Sequence, residues 1–353
     1  MRCKLLEINR KISVAPMMDW TDHHCRYFLR GFSPGALLYT EMITSAAILR
    51  GDARRLLAYD AEEHPVALQL GGSEPRELAA AARAGEQAGY DEINLNCGCP
   101  SDRVASGAFG ACLMQEPARV AQCVAAMRAA VRIPVTVKMR IGVVSGTRRH
   151  ALAALSKFDE ADFEALHEFV SQVREAGCEV AIVHARKAVL GGLSPKDNRE
   201  VPPLRYDVVR RLKQHFVDLP VIVNGGLRTA ASALEALTWC DGVMLGREAY
   251  HRPHLLSELQ RALDGAAGFE PPTRDALLER MARYAQRQLA HGDHLLAITR
   301  HMLGLYAGEP GARDYRRMLS EGARAPGAGA DLLRQAAVMA REAGASIRPK
   351  ASE

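Results

Sequence analysis

The 353-residue chain lacks the features that mark a membrane protein or a secreted protein. No window holds the roughly 20 uncharged apolar residues that a membrane span requires. The first residues, Met1–Glu7, carry an acidic side chain early and have no apolar signal core. We therefore expect a cytoplasmic protein with no membrane partner.

The chain also lacks paired cysteines. Its eight cysteines are scattered and show no CxxC…CxxC spacing typical of zinc sites. Cys97 and Cys99 supply at most two ligands and have no second pair beside them, so we expect no metal. Scattered cysteines favour reduced thiols over a disulfide framework.

A strong excess of charge is absent as well. The net charge is only +5, so bulk electrostatics alone does not predict a nucleic-acid partner. Arginines nevertheless cluster at Arg148–Arg149, Arg199–Arg211 and Arg313–Arg317. Such patches are compatible with a polyanionic substrate and also with ordinary solvated arginines.

Short apolar runs alternate with amphipathic stretches from Ile12 to Arg247, and this pattern predicts eight strand-helix units. The predicted strands are Ile12–Ala15, Leu37–Thr40, Val66–Leu70, Glu92–Leu95, Val135–Lys138, Val180–Val183, Val221–Val223 and Gly242–Leu245. The clearest predicted helices between them are Pro75–Ala88, Pro117–Val131, Asp159–Ala176 and Thr229–Trp239. Their number and total length favour an α/β fold, a (β/α)8 TIM barrel.

After Pro253 the strand signals end and the pattern becomes helical. The predicted helices are Arg274–His291, His294–Leu305, Asp314–Glu321 and Asp331–Ala343. We therefore expect a barrel domain over residues 1–250, a smaller all-helical domain over 251–345 and a disordered tail over 346–353.

Chemistry in such barrels lies at the carboxyl ends of the strands. Two glycine turns, Gly225–Gly226 and Gly246, follow the last two predicted strands, where barrels bind phosphate groups, and Arg247 adds positive charge. Further polar and soft apolar side chains at other strand ends suit a flat, polar-edged ligand with a phosphate tail. These are Pro16, Met17, Met18, Gln69, Lys138 and His184. Flavin mononucleotide (FMN) fits that description.

The turn Asn96-Cys97-Gly98-Cys99 follows the fourth predicted strand and precedes a glycine-rich stretch, 106–111, which we expect to move as a lid. From its position alone, Cys99 could be a metal ligand, a core thiol or a catalytic acid.

The motifs together resemble the tRNA-dihydrouridine synthases. They include Ala15-Pro16-Met17-Met18-Asp19-Trp20-Thr21-Asp22, Glu92-Ile93-Asn94-Leu95-Asn96 with Gly98-Cys99-Pro100-Ser101, Val137-Lys138-Met139-Arg140 and His184-Ala185-Arg186-Lys187. The likeness covers Ile12 to Glu321. The segments 193–204 and 300–321 are similar to the A-type bacterial subfamily, which modifies uridines 20 and 20a of the tRNA D-loop.

This resemblance implies an FMN-dependent oxidoreductase with NADPH as reductant. It implies that hydride passes from the flavin N5 to uracil C6 while Cys99, as general acid, protonates C5. Asn224 joins the flavin contacts already named, and Asn96 matches a residue that holds the target base.

The resemblance also implies a tRNA partner, bound at its D-loop and elbow, and no obligate protein partner. The candidate substrate-binding residues, besides Asn96, are Arg140, Arg186, Lys187, Lys196, Asn198, Arg199, Arg300, Arg313, Arg316 and Arg317. The stretch 143–161, with Arg148-Arg149-His150, is longer than expected for the family. It either adds RNA contacts or is disordered.

Three other functions remain open at this point. A flavin barrel that reduces a free pyrimidine or another small molecule is the main alternative. The others are a non-redox barrel that binds phosphorylated sugars and a catalytically silent tRNA-binding chaperone.

Overall fold

The structure is a computed structural model, and it describes residues 8–100, 109–146, 154–155, 157–191, 193–265 and 268–347. The described strands are β1 (Ile12–Val14), β2 (Leu37–Thr44), β3 (Val66–Gly71), β4 (Glu92–Cys97), β5 (Val135–Arg140), β6 (Val143–Ser145), β7 (Ala181–His184), β8 (Ala188–Leu190), β9 (Val221–Asn224) and β10 (Gly242–Leu245).

Eight of these strands close into a parallel barrel in the order β1-β10-β9-β7-β5-β4-β3-β2. Closure is complete because β1 pairs with both β2 and β10. Both faces of the barrel strands are covered, so β3 and β4 are buried along their whole length. The predicted TIM-barrel fold is confirmed.

The remaining two strands, β6 and β8, were not predicted and form a separate parallel pair. They follow β5 and β7, so they lie at the carboxyl ends of the barrel strands. Asn198 holds β8 in place, because its side-chain oxygen accepts from Val189 N (2.7 Å) and its amide donates to Val189 O (3.0 Å). The pair thus extends the protein on the side where barrels carry chemistry.

The helices of the barrel region start where the sequence provides start signals. Pro75 and Pro117 each occupy a first helical turn, and Asp159 forms a capping box with Asp162. The described helices in this region are Ser45–Arg50, Ala53–Leu56, Pro75–Ala88, Pro117–Ala130, Glu160–Glu175, Tyr206–His215 and Ala230–Ala236, with 3-10 turns at Ala61–Glu63, Gly110–Gln115 and Asp197–Arg199.

By its internal contacts the chain divides into two compact units. One contains the barrel, up to Asp19 and over Gly35–Gly246, and the other contains Trp20–Pro34 and the chain from Arg247 onward. The helices of the second unit are His23–Arg30, Arg247–His251, His254–Asp264, Arg274–Ala290, Leu295–Thr299, Ala312–Glu321 and Asp331–Ile347, with a 3-10 turn at Gly322–Arg324.

The helix His23–Arg30 is early in sequence but belongs to this second unit. Tyr27 stacks on Tyr284 with ring centroids 3.9 Å apart, and the Arg280 guanidinium lies 3.9 Å from the Tyr27 ring centroid. Ser257 Oγ donates to Phe32 O at 2.7 Å. The second unit is therefore assembled from two separate stretches of chain.

Several predicted features lie outside the described residues, among them Arg148-Arg149-His150, the first half of the glycine-rich stretch, 106–108, and the end of the predicted tail, 348–353. No described helix is long and apolar enough to cross a membrane.

Candidate active site

A tight turn follows β4 and carries Cys99. The Asn96 side-chain oxygen accepts hydrogen bonds from the backbone N–H groups of Gly98 and Cys99, each at 3.0 Å. Asparagine favours such turns because its side chain replaces a backbone acceptor. Ala111 N donates to Cys99 O at 2.9 Å from the other side. The turn is held on both sides, and the Cys99 side chain is half-buried rather than enclosed.

The neighbouring thiol, Cys97, is in a different environment. Successive side chains of a strand point to opposite faces, so Cys97 is directed away from Asn96. It is fully buried, and this burial raises the pKa of the Cys97 thiol well above its usual range. Of these two thiols, Cys99 is the one that a ligand at the barrel end can reach.

Arg140 at the end of β5 braces the Cys99 turn. Its guanidinium donates to Gly98 O at 3.1 Å and to Asn198 O at 3.0 Å, and the residue is only 3% exposed. Burial lowers the pKa of Arg140 to about 10, with Cys99 opposing and Arg199 adding to the shift. Arg140 is therefore a buried cation at neutral pH, engaged with backbone carbonyls.

Lys138 lies beside Asn96 in the register of β4 and β5. Burial, reinforced by the charge of Arg140 and opposed by Cys99, lowers the pKa of Lys138 to about 7. Within the parts of the chain that the structure describes, no group accepts a hydrogen bond from the Lys138 ammonium. Such an amine fits an anionic or electron-rich ligand, which would complete its hydrogen bonding.

The backbone that follows β9 lies close against the His184 side chain at the end of β7. A Cβ placed on Gly225 would lie 2.5 Å from His184 Cδ2, and Gly225 and Gly226 adopt φ values of +103° and +72°. Only glycine fits here without displacing the imidazole. Burial and then the charge of Arg140 hold the pKa of His184 well below its usual value, so the ring is neutral.

Gly246, which follows β10, is not crowded by neighbouring atoms as Gly225 is. A Cβ placed there would meet no atom within 4 Å, so the backbone faces open space. Backbone groups that border open space at this strand end fit a phosphate, as the sequence predicts. Arg247 starts the next helix, Arg247–His251.

The predicted flavin-contacting amides are already partly hydrogen-bonded. Gln69 is 1% exposed and lies between Asn94 Oδ1 (2.7 Å) and Asn96 Nδ2 (2.8 Å). Asn224 donates to Met244 O at 2.7 Å, which ties β9 to β10. Each amide keeps bonding capacity beyond these contacts. The predicted segment Pro16–Met18 follows β1, and Met18 is 54% exposed.

The predicted substrate-binding residues of the barrel unit have intramolecular partners. Lys187 Nζ forms an ion pair with Asp162 at 2.7 Å, and Asn198 is fully buried. Arg186 donates to Pro202 O. Arg199 closes the 3-10 turn Asp197–Arg199, and Lys196 precedes it. These side chains shape the loops after β5 and β7.

The predicted residues of the helical unit are mostly exposed. Arg313, Arg316 and Arg317 lie on the helix Ala312–Glu321, whose opposite side buries Tyr315 and Leu319. Arg300 pairs with the carboxylate of Asp22. It also lines an open cleft of about 770 Å³ with His294 and Arg324.

The dihydrouridine synthase family model (Dus) matches residues 13–342. The chain belongs to this family. It is therefore an oxidoreductase, and the resemblance predicted from the motifs is confirmed.

Relatives named tRNA-dihydrouridine(20/20a) synthase are similar over nearly their whole length. The protein of Xanthomonas campestris pv. campestris is 54% identical over 326 residues, 92% of each chain. That of Pseudomonas aeruginosa is 54% identical over 89% of this chain and 90% of its own, and that of Vibrio cholerae is 51% identical over 92% and 95%.

Among solved structures, a 2-naphthoyl-CoA reductase in complex with 2-naphthoyl-CoA shares the fold of this dihydrouridine synthase. The TM-score is 0.50 at 12% identity, over 76% of this chain and 51% of that one.

Sequence reasoning missed one set of residues in this family member. Glu92, Asn94 and Thr136 lie inside the barrel and are hydrogen-bonded to one another or to the predicted site residues. The alternation Glu92-x-Asn94-x-Asn96 carries this signal, because residues two apart on a strand point the same way.

Proposed function

We propose that this dihydrouridine synthase reduces the C5=C6 bond of uridines 20 and 20a in the tRNA D-loop, with FMN as cofactor and NADPH as reductant. The observation that carries the proposal is the Cys99 turn, where a half-buried thiol is held near the buried Arg140 guanidinium and the half-buried amine of Lys138. Relatives about half identical to the chain and named for this product support the substrate.

The cofactor would be held by the strand ends described above. Lys138 and Gln69 would meet the polar edge of its ring system. Gly225, Gly226, Gly246 and His184 would surround its phosphate, with Arg247 as an additional cation. The remaining contacts would come from Pro16, Met17, Met18 and Asn224. When bound, the flavin would supply the hydride for uracil C6, and NADPH would supply a new hydride to the flavin.

Cys99 would supply the proton. As C6 takes up the hydride and the C5=C6 double bond becomes single, the electron pair at C5 takes the proton from Cys99 Sγ. Arg140 would keep the sulfur in place during this step, because its guanidinium holds the turn through Gly98 O at 3.1 Å. A proton from solvent then restores the thiol for the next turnover. We assign Asn96 and Arg140 to holding the turn, since both bond to its backbone.

The helical unit would bind the tRNA. A uridine in folded tRNA reaches a barrel interior only if it is unstacked and turned out, so a second surface must hold the RNA. Arg313, Arg316 and Arg317 are exposed on one helix and can contact phosphates. We include Arg300 and its cleft in this surface, and we place Arg186, Lys187, Lys196, Asn198 and Arg199 in the loops that border the substrate. The site of action would be the cytoplasm, and no protein partner is required.

The decisive test is to map dihydrouridine in tRNA from a strain that lacks the gene, before and after incubation with the purified protein, FMN and NADPH. Saturation at positions 20 and 20a is the expected result. Reduction of free uridine with no change in the tRNA would instead identify a small-molecule reductase.

The Cys99→Ala variant should bind flavin and tRNA normally but form dihydrouridine about 10²- to 10⁴-fold more slowly, because a positioned proton donor contributes that much. Cys97→Ala is the matched control and should keep its turnover, since that thiol is buried away from the turn. Full turnover by Cys99→Ala would contradict the assignment.

A further inference from the structure

Polar side chains cross the barrel interior in one unbroken line of hydrogen bonds. Thr136 Oγ1 donates to Glu92 Oε1 (2.7 Å), and Asn94 Nδ2 donates to Thr136 Oγ1 (2.8 Å). Gln69 Nε2 then donates to Asn94 Oδ1 (2.7 Å), and Asn96 Nδ2 donates to Gln69 Oε1 (2.8 Å). We call these five residues, on β3, β4 and β5, the interior chain.

Glu92, at the far end of the interior chain, determines which group of each hydrogen bond is the donor and which is the acceptor. Glu92 is fully buried, and its other oxygen, Oε2, accepts from Arg10 Nη2 at 2.7 Å and from Arg10 Nε at 3.1 Å. A carboxylate paired with a guanidinium accepts hydrogen bonds and donates none. The single hydroxyl proton of Thr136 must therefore point to Glu92, and the hydroxyl can serve Asn94 only as an acceptor.

The same donor and acceptor order then holds for each amide in turn. Because Asn94 turns its NH₂ toward Thr136, it presents its oxygen to Gln69, and Gln69 in turn presents its oxygen to Asn96. Asn96 is left with its oxygen facing the Cys99 turn, where the N–H groups of Gly98 and Cys99 need an acceptor. The reverse order would set NH₂ against N–H in a buried site, which is costly.

We propose that Thr136 and Asn94 are positioning residues for Cys99. Glu92 lies at the opposite end of the barrel interior, and its charge determines the orientation of the Thr136 hydroxyl and the Asn94 amide. These two residues in turn determine how the Gln69 and Asn96 amides are oriented, and the Asn96 oxygen holds the Cys99 turn in place. The effect of this positioning on turnover rests on the proposed function of Cys99 as proton donor. The conclusion that the interior chain holds the Cys99 turn does not depend on that function.

Tyr39 provides a matched control. Its hydroxyl donates to the same Glu92 oxygen, Oε1, at 2.5 Å and also lies against the Thr136 hydroxyl, but among the described residues it bonds to none of the three amides of the interior chain. Burial and the nearby Glu92 charge raise the pKa of Tyr39 well above its usual value, so it remains a donor. Tyr39→Phe and Thr136→Val each remove one donor from the same buried oxygen, and only Thr136→Val breaks the interior chain.

The test measures the rate at which iodoacetamide alkylates Cys99 in the flavin-loaded protein at fixed pH, located by tandem mass spectrometry. Thr136→Val should alkylate severalfold faster, because the freed turn exposes its thiol. Its kcat for tRNA should fall about 10- to 100-fold with KM unchanged, the cost expected for a misplaced catalytic group. Thr136→Ser, which keeps the hydroxyl, should restore both values, and Tyr39→Phe should leave both unchanged.

A second variant keeps the test decisive if Thr136→Val does not fold. Glu92→Gln can donate as well as accept, so it no longer fixes the direction, and it should also speed the alkylation of Cys99. Wild-type alkylation rates in folded Thr136→Val, or in Glu92→Gln if the former is unfolded, would overturn the proposal. So would an equal effect of Tyr39→Phe. If the wild-type protein forms no dihydrouridine, the proposed function is refuted. The comparison of Cys99 alkylation rates stays valid in that case, because alkylation needs no RNA.

Discussion

Replacing Lys138 with methionine should stabilise the cofactor-free protein. The pKa of Lys138 falls from 10.5 to about 7, mainly through burial. That difference corresponds to roughly 5 kcal/mol at about 1.4 kcal/mol for each pH unit. The side chain is half-buried rather than enclosed, so water screens part of this cost, and we expect a gain of about 2–3 kcal/mol at neutral pH.

The gain should depend on pH in a definite direction. Between about pH 7 and 10.5 the unfolded chain holds a proton on Lys138 that the folded chain does not, so the stability of the wild type rises with pH across this window. The methionine variant lacks this dependence. Its advantage should therefore be largest at and below pH 7 and shrink as the pH approaches 10.5.

Urea unfolding of flavin-stripped protein, followed by circular dichroism near pH 7 and near pH 9, measures the effect. Lys187→Met is the matched control, because Lys187 is a buried lysine that has an acidic partner, Asp162, at 2.7 Å. That variant should lose about 1–3 kcal/mol, since it leaves a carboxylate without its partner. Destabilisation by Lys138→Met, or a gain that grows with pH, would refute the reasoning.

Three further predictions concern the phosphate and RNA contacts. Gly225→Ala should cost about 1–3 kcal/mol and reduce bound flavin, measured by thermal melting and absorbance, because its Cβ would meet the His184 ring. Gly246→Ala should melt normally, since its Cβ meets nothing, yet bind FMN more weakly, and an unchanged affinity would argue against a phosphate there. Arg316→Ala should weaken tRNA binding and reduce its salt slope by about one, whereas Arg83→Ala, on the exposed side of Pro75–Ala88, should not. Equal salt slopes for the two variants would contradict the RNA-binding role of Arg316.

The barrel strands could be predicted because parallel strands buried on both faces give apolar runs. Pro75–Ala88 has the predicted bounds, since proline and glycine mark both its ends. β2 continues to Thr44, beyond the predicted Thr40, where its polar residues hide the strand signal. The pair β6 and β8 was missed because three-residue strands leave too short a pattern. No helix was predicted at His23–Arg30.

The positions of the candidate site residues at the strand ends were easier to predict than their hydrogen-bond partners. Strand ends locate Gln69, Asn96 and Arg140, because topology brings all eight ends together. Whether an amide faces a ligand or a neighbour depends on side chains of adjacent strands, which sequence order does not reveal. Arg140 is the clearest case, since its contacts, Gly98 and Asn198, lie 42 and 58 residues away.

The division of the helical unit between two stretches of chain affects its synthesis. Trp20–Pro34 leaves the ribosome early, but Arg280, which donates to Tyr27 O, follows 253 residues later. At about 5–20 residues per second, the early stretch waits roughly 10–50 s for its partners. During that time the later helices of the second unit have not been synthesised, so Tyr27 and Phe28, both buried in the finished protein, lack those packing partners. A nascent chain that stalls after the barrel is complete would expose this apolar stretch, making it a natural place for a chaperone to bind.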